Sequence, residues 1–222
     1  PVHLLGNMWG QSWSNIYDLV YTEESNSNSV DVTKIIEDKN LDEIEMVEYA
    51  EDFFISMGFD SLPETFWERS LFTKPRDRSV VCHASAWNLD PANNDLRIKM
   101  CIERNEEDFI TIHHELGHIF YYQAYNHLPT LFQGGANDGF HEAFGDLLTL
   151  SITPDYLTKI DFISEDEANL AKEDPIGLLM KQALEGVVVV PWALMLDKWR
   201  SGVFNGDIEE DELNTSWWQL RE

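Results

Sequence analysis

Apolar positions along this chain recur mostly at helical spacing. Between Asn40 and Gly58, the residues Ile44, Val47, Ala50, Phe54 and Met57 return every three or four positions, which lays one apolar stripe along a helix of 3.6 residues per turn. Asn40 with Glu43 reads as its capping box and Gly58 as its stop. A second stripe, Phe109, Ile112, Leu116 and Ile119, follows Asn105 as a candidate N-cap. Phe140 to Ser151 reads as another helix, ended near Pro154. Asp174-Pro175 reads as the cap and first turn of a further one, which Pro191 is expected to kink. The pattern breaks in one place: Ser79 to Trp87 and Leu96 to Cys101 flank the turn-rich Asp90-Pro91-Ala92-Asn93-Asn94-Asp95, which predicts a β-hairpin. The fold class is therefore mainly α, with a small hairpin.

With 222 residues and no internal repeat, the chain suits one domain or a large piece of one. Its 41 acidic and 15 basic side chains leave a formal charge of −26. Such a surface repels phosphate backbones, whose binding needs Lys and Arg, so nucleic acid is excluded as a partner. An apolar fraction of 43% argues against intrinsic disorder despite that charge. The longest apolar run, Val187 to Leu196, is interrupted by Pro191 and falls short of the roughly 18 to 20 residues of a membrane span. A soluble chain without membrane contact is the expectation. Nothing before Pro1 resembles a signal segment and the aromatic helical pattern at Trp217 and Trp218 is cut short, so the chain reads as an internal piece.

The two cysteines, Cys82 and Cys101, sit nearly symmetrically about the hairpin turn. Facing each other across an antiparallel pair they could form a disulfide, which places the chain in an oxidising compartment; the alternative is two unrelated buried thiols. A sequon at Asn214-Thr215-Ser216 suits a secreted animal protein without deciding the matter.

Candidate chemistry centres on His114-Glu115-Leu116-Gly117-His118, inside the second predicted helix. Four residues is close to one turn, so both imidazoles leave one face and can share a Zn²⁺, with Glu115 placed to reach a water on it. A metzincin would carry a third His at position 124, where this chain has Ala124. The other arrangement takes a carboxylate from a later helix, and Glu142 supplies one, with Asp146 a turn beyond it on the same face. Glu142 completes a His₂Glu set with a fourth position open, as catalytic zinc requires, and Asp146 can orient a ligand imidazole through its second nitrogen. Phe140, Ala143, Leu147 and Leu148 around them predict that this face points inward.

Four separated segments carry a resemblance: His3-Leu4-Leu5-Gly6-Asn7-Met8-Trp9, Cys82-His83-Ala84-Ser85-Ala86-Trp87, His113 to His118, and Gly135 to Asp146. In order and over the whole chain they resemble the angiotensin-converting enzyme (peptidyl-dipeptidase A) family of zinc metallopeptidases. The resemblance implies a helical gluzincin domain split by a deep cleft and more than twice this length. Residues 1–222 would be its zinc-bearing later half, with the N-terminal part and the C-terminal end outside the chain. It implies His114, His118 and Glu142 as zinc ligands, Glu115 as catalytic base on a zinc-bound water, and Asp146 as the partner of a ligand imidazole. Main-chain groups of Ala84 and Ala86 would pair with an extended peptide, His83 would donate to a substrate carbonyl, and Gln11 would help to hold the substrate's C-terminal carboxylate. Trp217 and Arg221 match ligands of a bound chloride, a possible activator. Gly186, Val189 and Gly134 depart from common family residues near the substrate's last side chain and the cleft.

The expected activity is release of C-terminal dipeptides from peptides with a free C-terminus, by a secreted, extracellular or periplasmic enzyme. Two alternatives stand beside it. A single-residue carboxypeptidase of the same family carries Arg where this chain has Gln11. A non-catalytic receptor or structural relative would lose zinc ligands that are retained here.

Overall fold

Side-chain caps decide where the helices of this chain begin. The computed structural model describes residues 12–13, 16–21, 30–172 and 175–221. Its elements are α1 (Tyr17–Val20), α2 (Val32–Lys39), α3 (Glu43–Ser56), α4 (Glu64–Arg69), β1 (Ser85–Asp90), β2 (Asp95–Lys99), α5 (Glu106–Asn126), α6 (Asp138–Thr149), α7 (Pro154–Lys159), α8 (Glu165–Lys172), α9 (Pro175–Asn205) and α10 (Leu213–Arg221). The class is mainly α with, among the described residues, one small antiparallel sheet, as the pattern predicts. Residues 30–169 form one unit, and the described residues among 1–29 and 170–222 form another. Gln11, the segment 3–9 and Asp174 lie outside the described residues.

The cap of α3 differs from the sequence reading. Asp42, not Asn40, accepts from the backbone N–H groups of Ile44 and Glu45, and Glu45 closes the capping box. Asn40 instead ends α2 in the left-handed region at φ 52°, a conformation that Asn tolerates better than most residues. Val47, Ala50 and Phe54 are buried as expected, whereas Ile44 and Met57 at the two ends are exposed and Met46 and Phe53 take their places in the core. Similarly, α6 starts two residues before Phe140, because the Asn137 side chain accepts from the Phe140 N–H at 2.6 Å.

Helix α5 organises the first unit. Asn105 caps it, accepting from Asp108 N–H at 2.8 Å, and Phe109, Ile112, Leu116 and Ile119 are completely buried. Burying each such side chain stabilises by about 1.5–3 kcal/mol. Phe120 of α5 stacks on Phe54 of α3, with ring centroids 4.3 Å apart. This packing fixes the rotation of α5 about its axis, and so the direction in which its other face points.

The hairpin is shorter than predicted: β1 begins at Ser85, opposite Lys99, rather than at Ser79. Residues 70–72, which the pattern did not mark as extended, run along the far edge of β2. Leu71 N–H donates to Ile98 C=O at 2.9 Å, and Met100 N–H donates to Leu71 C=O at 2.8 Å. Among the described residues β1 pairs with β2 alone, so its outer edge keeps unpaired main-chain groups. Cys82 and Cys101 close the open end of the hairpin as a disulfide, with Cα atoms 5.1 Å apart and a sequence separation of 19. A loop of that size gives about 3 kcal/mol of stabilisation by constraining the unfolded chain. The Cys82→Ser, Cys101→Ser double variant is therefore expected to unfold at lower urea, with a loss of about that size at unchanged buffer and temperature.

In the second unit, α9 runs without interruption through Pro191. Trp199 Nε1–H donates to Leu213 C=O at 3.1 Å, and Trp217 of α10 meets the Trp199 ring edge to face at 5.4 Å. The expectation that no segment is long and apolar enough for a membrane needs correcting. Leu179–Asn205 meets that criterion by length and composition, because an apolar helix tolerates scattered polar residues and an internal proline that a search for uninterrupted runs rejects.

Candidate metal centre

The site is built where α5 and α6 cross, and two glycines set the distance between them. A Cβ on Gly117 would lie 3.1 Å from Gly145 Cα, and a Cβ on Gly145 would lie 2.8 Å from His114 Nδ1. Both glycines sit inside helices, where each costs about 1 kcal/mol relative to alanine. That cost was the signal available in the sequence, and neither residue was singled out from it. Gly145→Ala gains helix propensity but drives a methyl group into the His114 ring, an overpacking that costs about 1–3 kcal/mol. The clash is expected to win: zinc affinity falls, measured by chelator competition, and the unfolding midpoint does not rise.

His114 and His118 leave the same face of α5, one turn apart, as the spacing predicts. His114 Nε2 lies 3.1 Å from His118 Nε2 and 3.2 Å from Glu142 Oε2, and His118 Nε2 lies 3.5 Å from the same oxygen. A tetrahedral ion with bonds of about 2.0–2.2 Å spaces its ligand atoms about 3.3–3.6 Å apart. Donor chemistry agrees with this triangle. Asp146 Oδ1 stands 2.9 Å from His114 Nδ1; a carboxylate can only accept, so Nδ1 carries the hydrogen and Nε2 presents its lone pair to the centre. Lone pairs and a carboxylate converging this closely repel unless a proton or a metal cation lies among them, and three such atoms facing one point suit a metal ion. The residues therefore fit zinc.

The inward face expected for α6 is not observed. The Glu142 and Asp146 side chains are 67% and 77% exposed, and Phe140 and Leu147 are exposed with them. Helix α6 buries Gly145 and Leu148 and packs a half-buried Phe144 against the core, so apolar neighbours in sequence did not report the direction of the carboxylates.

Glu115 differs from Glu142 in being buried, and among the described residues its Oε2 has no hydrogen-bond partner. Burial pushes its pKa up to about 7, with nearby Glu142 adding to the rise and the His114 and His83 charges opposing it. Burial also lowers His118. In His114 the same effect is outweighed by Asp146, and the pKa is raised.

Glu115 lines a cleft of about 680 Å³ together with His114, His118 and Glu142. Residues 83–86 form another wall of it, so His83, Ala84 and Ala86 share the cleft with the candidate ligands. The exposed His83 holds its Nδ1 2.8 Å from the Ala84 C=O. Gly134 lines the cleft too, with open space where a Cβ would stand. Tyr122, Tyr125 and His141 also line it and were not singled out from the sequence. Trp217 and Arg221 belong to α10 of the second unit, where Arg221 lies 5.6 Å over the Trp218 ring. Gly186 and Val189 are exposed on α9.

The family model described as angiotensin-converting enzyme matches residues 1–222. The chain belongs to this family of zinc metallopeptidases. It is 45% identical over 223 residues to the angiotensin-converting enzyme of Bos taurus and 46% identical over 224 residues to that of Sus scrofa, in each case with all of this chain and 17% of the relative covered. The angiotensin-converting enzyme of Haematobia irritans exigua is 41% identical over 228 residues, with 36% of its length covered. The chain thus spans well under half the length of these curated relatives.

Proposed function

We propose that the complete protein carrying this chain is a secreted zinc peptidyl-dipeptidase, and that residues 1–222 supply the zinc-bearing later half of its peptidase domain. The observation that carries this reading is the triangle of His114, His118 and Glu142 beside a buried, unpartnered Glu115. Zinc bound there would acidify a water and polarise a peptide carbonyl. Glu115 accepts the proton of the attacking water and delivers it to the leaving amine. A carboxyl group whose burial draws its pKa toward neutrality can do both. Asp146 keeps the hydrogen of His114 on Nδ1, leaving Nε2 for the metal.

The open edge of β1 at Ala86, with Ala84 just before the strand, supports strand addition by an extended peptide, with His83 donating to a substrate carbonyl. Gln11 is proposed to anchor the terminal carboxylate, which fixes the cut by its distance from the C-terminus. Trp217 and Arg221 are proposed to hold an activating chloride.

Digestion of a short peptide and its C-terminally amidated twin by the complete protein, read by mass spectrometry, tests the substrate class. Dipeptides are expected from the free peptide, with little cleavage of the amide. Release of single residues would make the enzyme a carboxypeptidase instead, and equal cleavage of both peptides would remove the carboxylate anchor.

A further inference from the structure

His141 is left without a role by this assignment, yet it is the closest polar neighbour of a candidate ligand. Its Nδ1 lies 2.7 Å from His118 Nδ1, and its Nε2 lies 3.4 Å from the Tyr125 hydroxyl. The direction of the short bond follows from proton accounting. His118 Nε2 faces His114 Nε2 and Glu142 Oε2 at 3.1 and 3.5 Å, so its lone pair belongs there and its hydrogen belongs on Nδ1. His118 Nδ1–H therefore donates, His141 Nδ1 accepts, and the hydrogen of His141 sits on Nε2, toward Tyr125.

Packing holds the accepting ring in place. Its centroid lies 4.5 Å from that of Tyr121 and 4.8 Å from that of Tyr122. Gly135 leaves room that a Cβ would take, 3.0 Å from His141 Cδ2.

We propose that His141 is the positioning residue of His118, as Asp146 is of His114. The inference rests on the zinc reading above and adds a second constraint to it. A single turn and a half of α6 then does three things: Glu142 offers its carboxylate, and the residues before and after it each lock one imidazole of α5 in the tautomer and orientation that metal binding needs. An imidazole acceptor does this without adding a third carboxylate beside Glu142 and Asp146.

The test uses the complete protein, with zinc alone as the probe and chelator competition as the readout. His141→Phe keeps a ring against Tyr121 and Tyr122 but removes the acceptor; it is expected to weaken zinc binding about 10–100-fold. His141→Asn restores an acceptor oxygen and is expected to recover most of that loss. Loss of packing alone would not produce such a rescue. Should the phenylalanine variant fail to fold, as judged by circular dichroism of the metal-free protein, His141→Leu takes its place in the comparison. Wild-type affinity in the variant lacking the acceptor overturns the assignment, as does equal weakening in that variant and the asparagine variant. A wild-type protein that binds no zinc overturns the zinc reading and this inference together, so the two failures are distinguishable.

Discussion

Replacing Glu115 with glutamine is expected to lower kcat of the complete protein by about 10²–10⁴-fold while zinc remains bound at full stoichiometry. In barrier height this is about 3–5.5 kcal/mol. The amide keeps the volume of the buried side chain, and none of the atoms in the ligand triangle belongs to residue 115, so metal affinity has no reason to collapse. What disappears is a group able to accept a proton. The measurement pairs steady-state kinetics on the free-C-terminus peptide with elemental analysis of the same sample. Near-normal turnover with zinc in place would require another base, and the buried, unpartnered position of Glu115 Oε2 would then have no catalytic explanation.

The second large effect is expected at the ligands themselves. His118→Ala with Glu142→Ala removes two of the three atoms that stand 3.1–3.5 Å apart. Loss of a group that merely orients a ligand typically costs about 10–100-fold in metal affinity, so loss of two ligands is expected to exceed that range and leave the purified protein without zinc. Elemental analysis after gel filtration reads the result directly. Undiminished zinc in the double variant would mean that the ion sits elsewhere, and the roles given to Glu115, Asp146 and His141 would all fall with it.

Much of this site was legible in the residues before any fold was known, because the relevant geometry is local. A rise of 1.5 Å per residue and 3.6 residues per turn place His114 and His118 on one face wherever the helix forms, and the buried stripe from Phe109 to Ile119 shows that it does form. The same logic related Glu142 to Asp146 on α6, and the symmetry of Cys82 and Cys101 about a turn anticipated their disulfide. Local geometry is weaker where two equivalent signals compete. Asn40 and Asp42 both qualify as N-caps for α3, and only the formed helices show that one ends α2 while the other begins α3.

Other features depend on contacts between segments that have no fixed relation in the unfolded chain. Residues 70–72 carry no strand pattern, and the edge of β2 makes them extended by offering hydrogen bonds. Gly145 is an ordinary glycine until α6 crosses α5 and its missing side chain leaves space for the His114 ring. His141 lies 23 positions after His118, too far for helical periodicity to relate them. The sequence by itself determined the helical class, the His114 and His118 pair and the identity of the acids that could join it. Only the tertiary structure decided how closely α6 approaches, which carboxylate stays buried and which nitrogen steadies His118, because those follow from close packing between elements, where a displacement of one methyl group changes which atoms can meet.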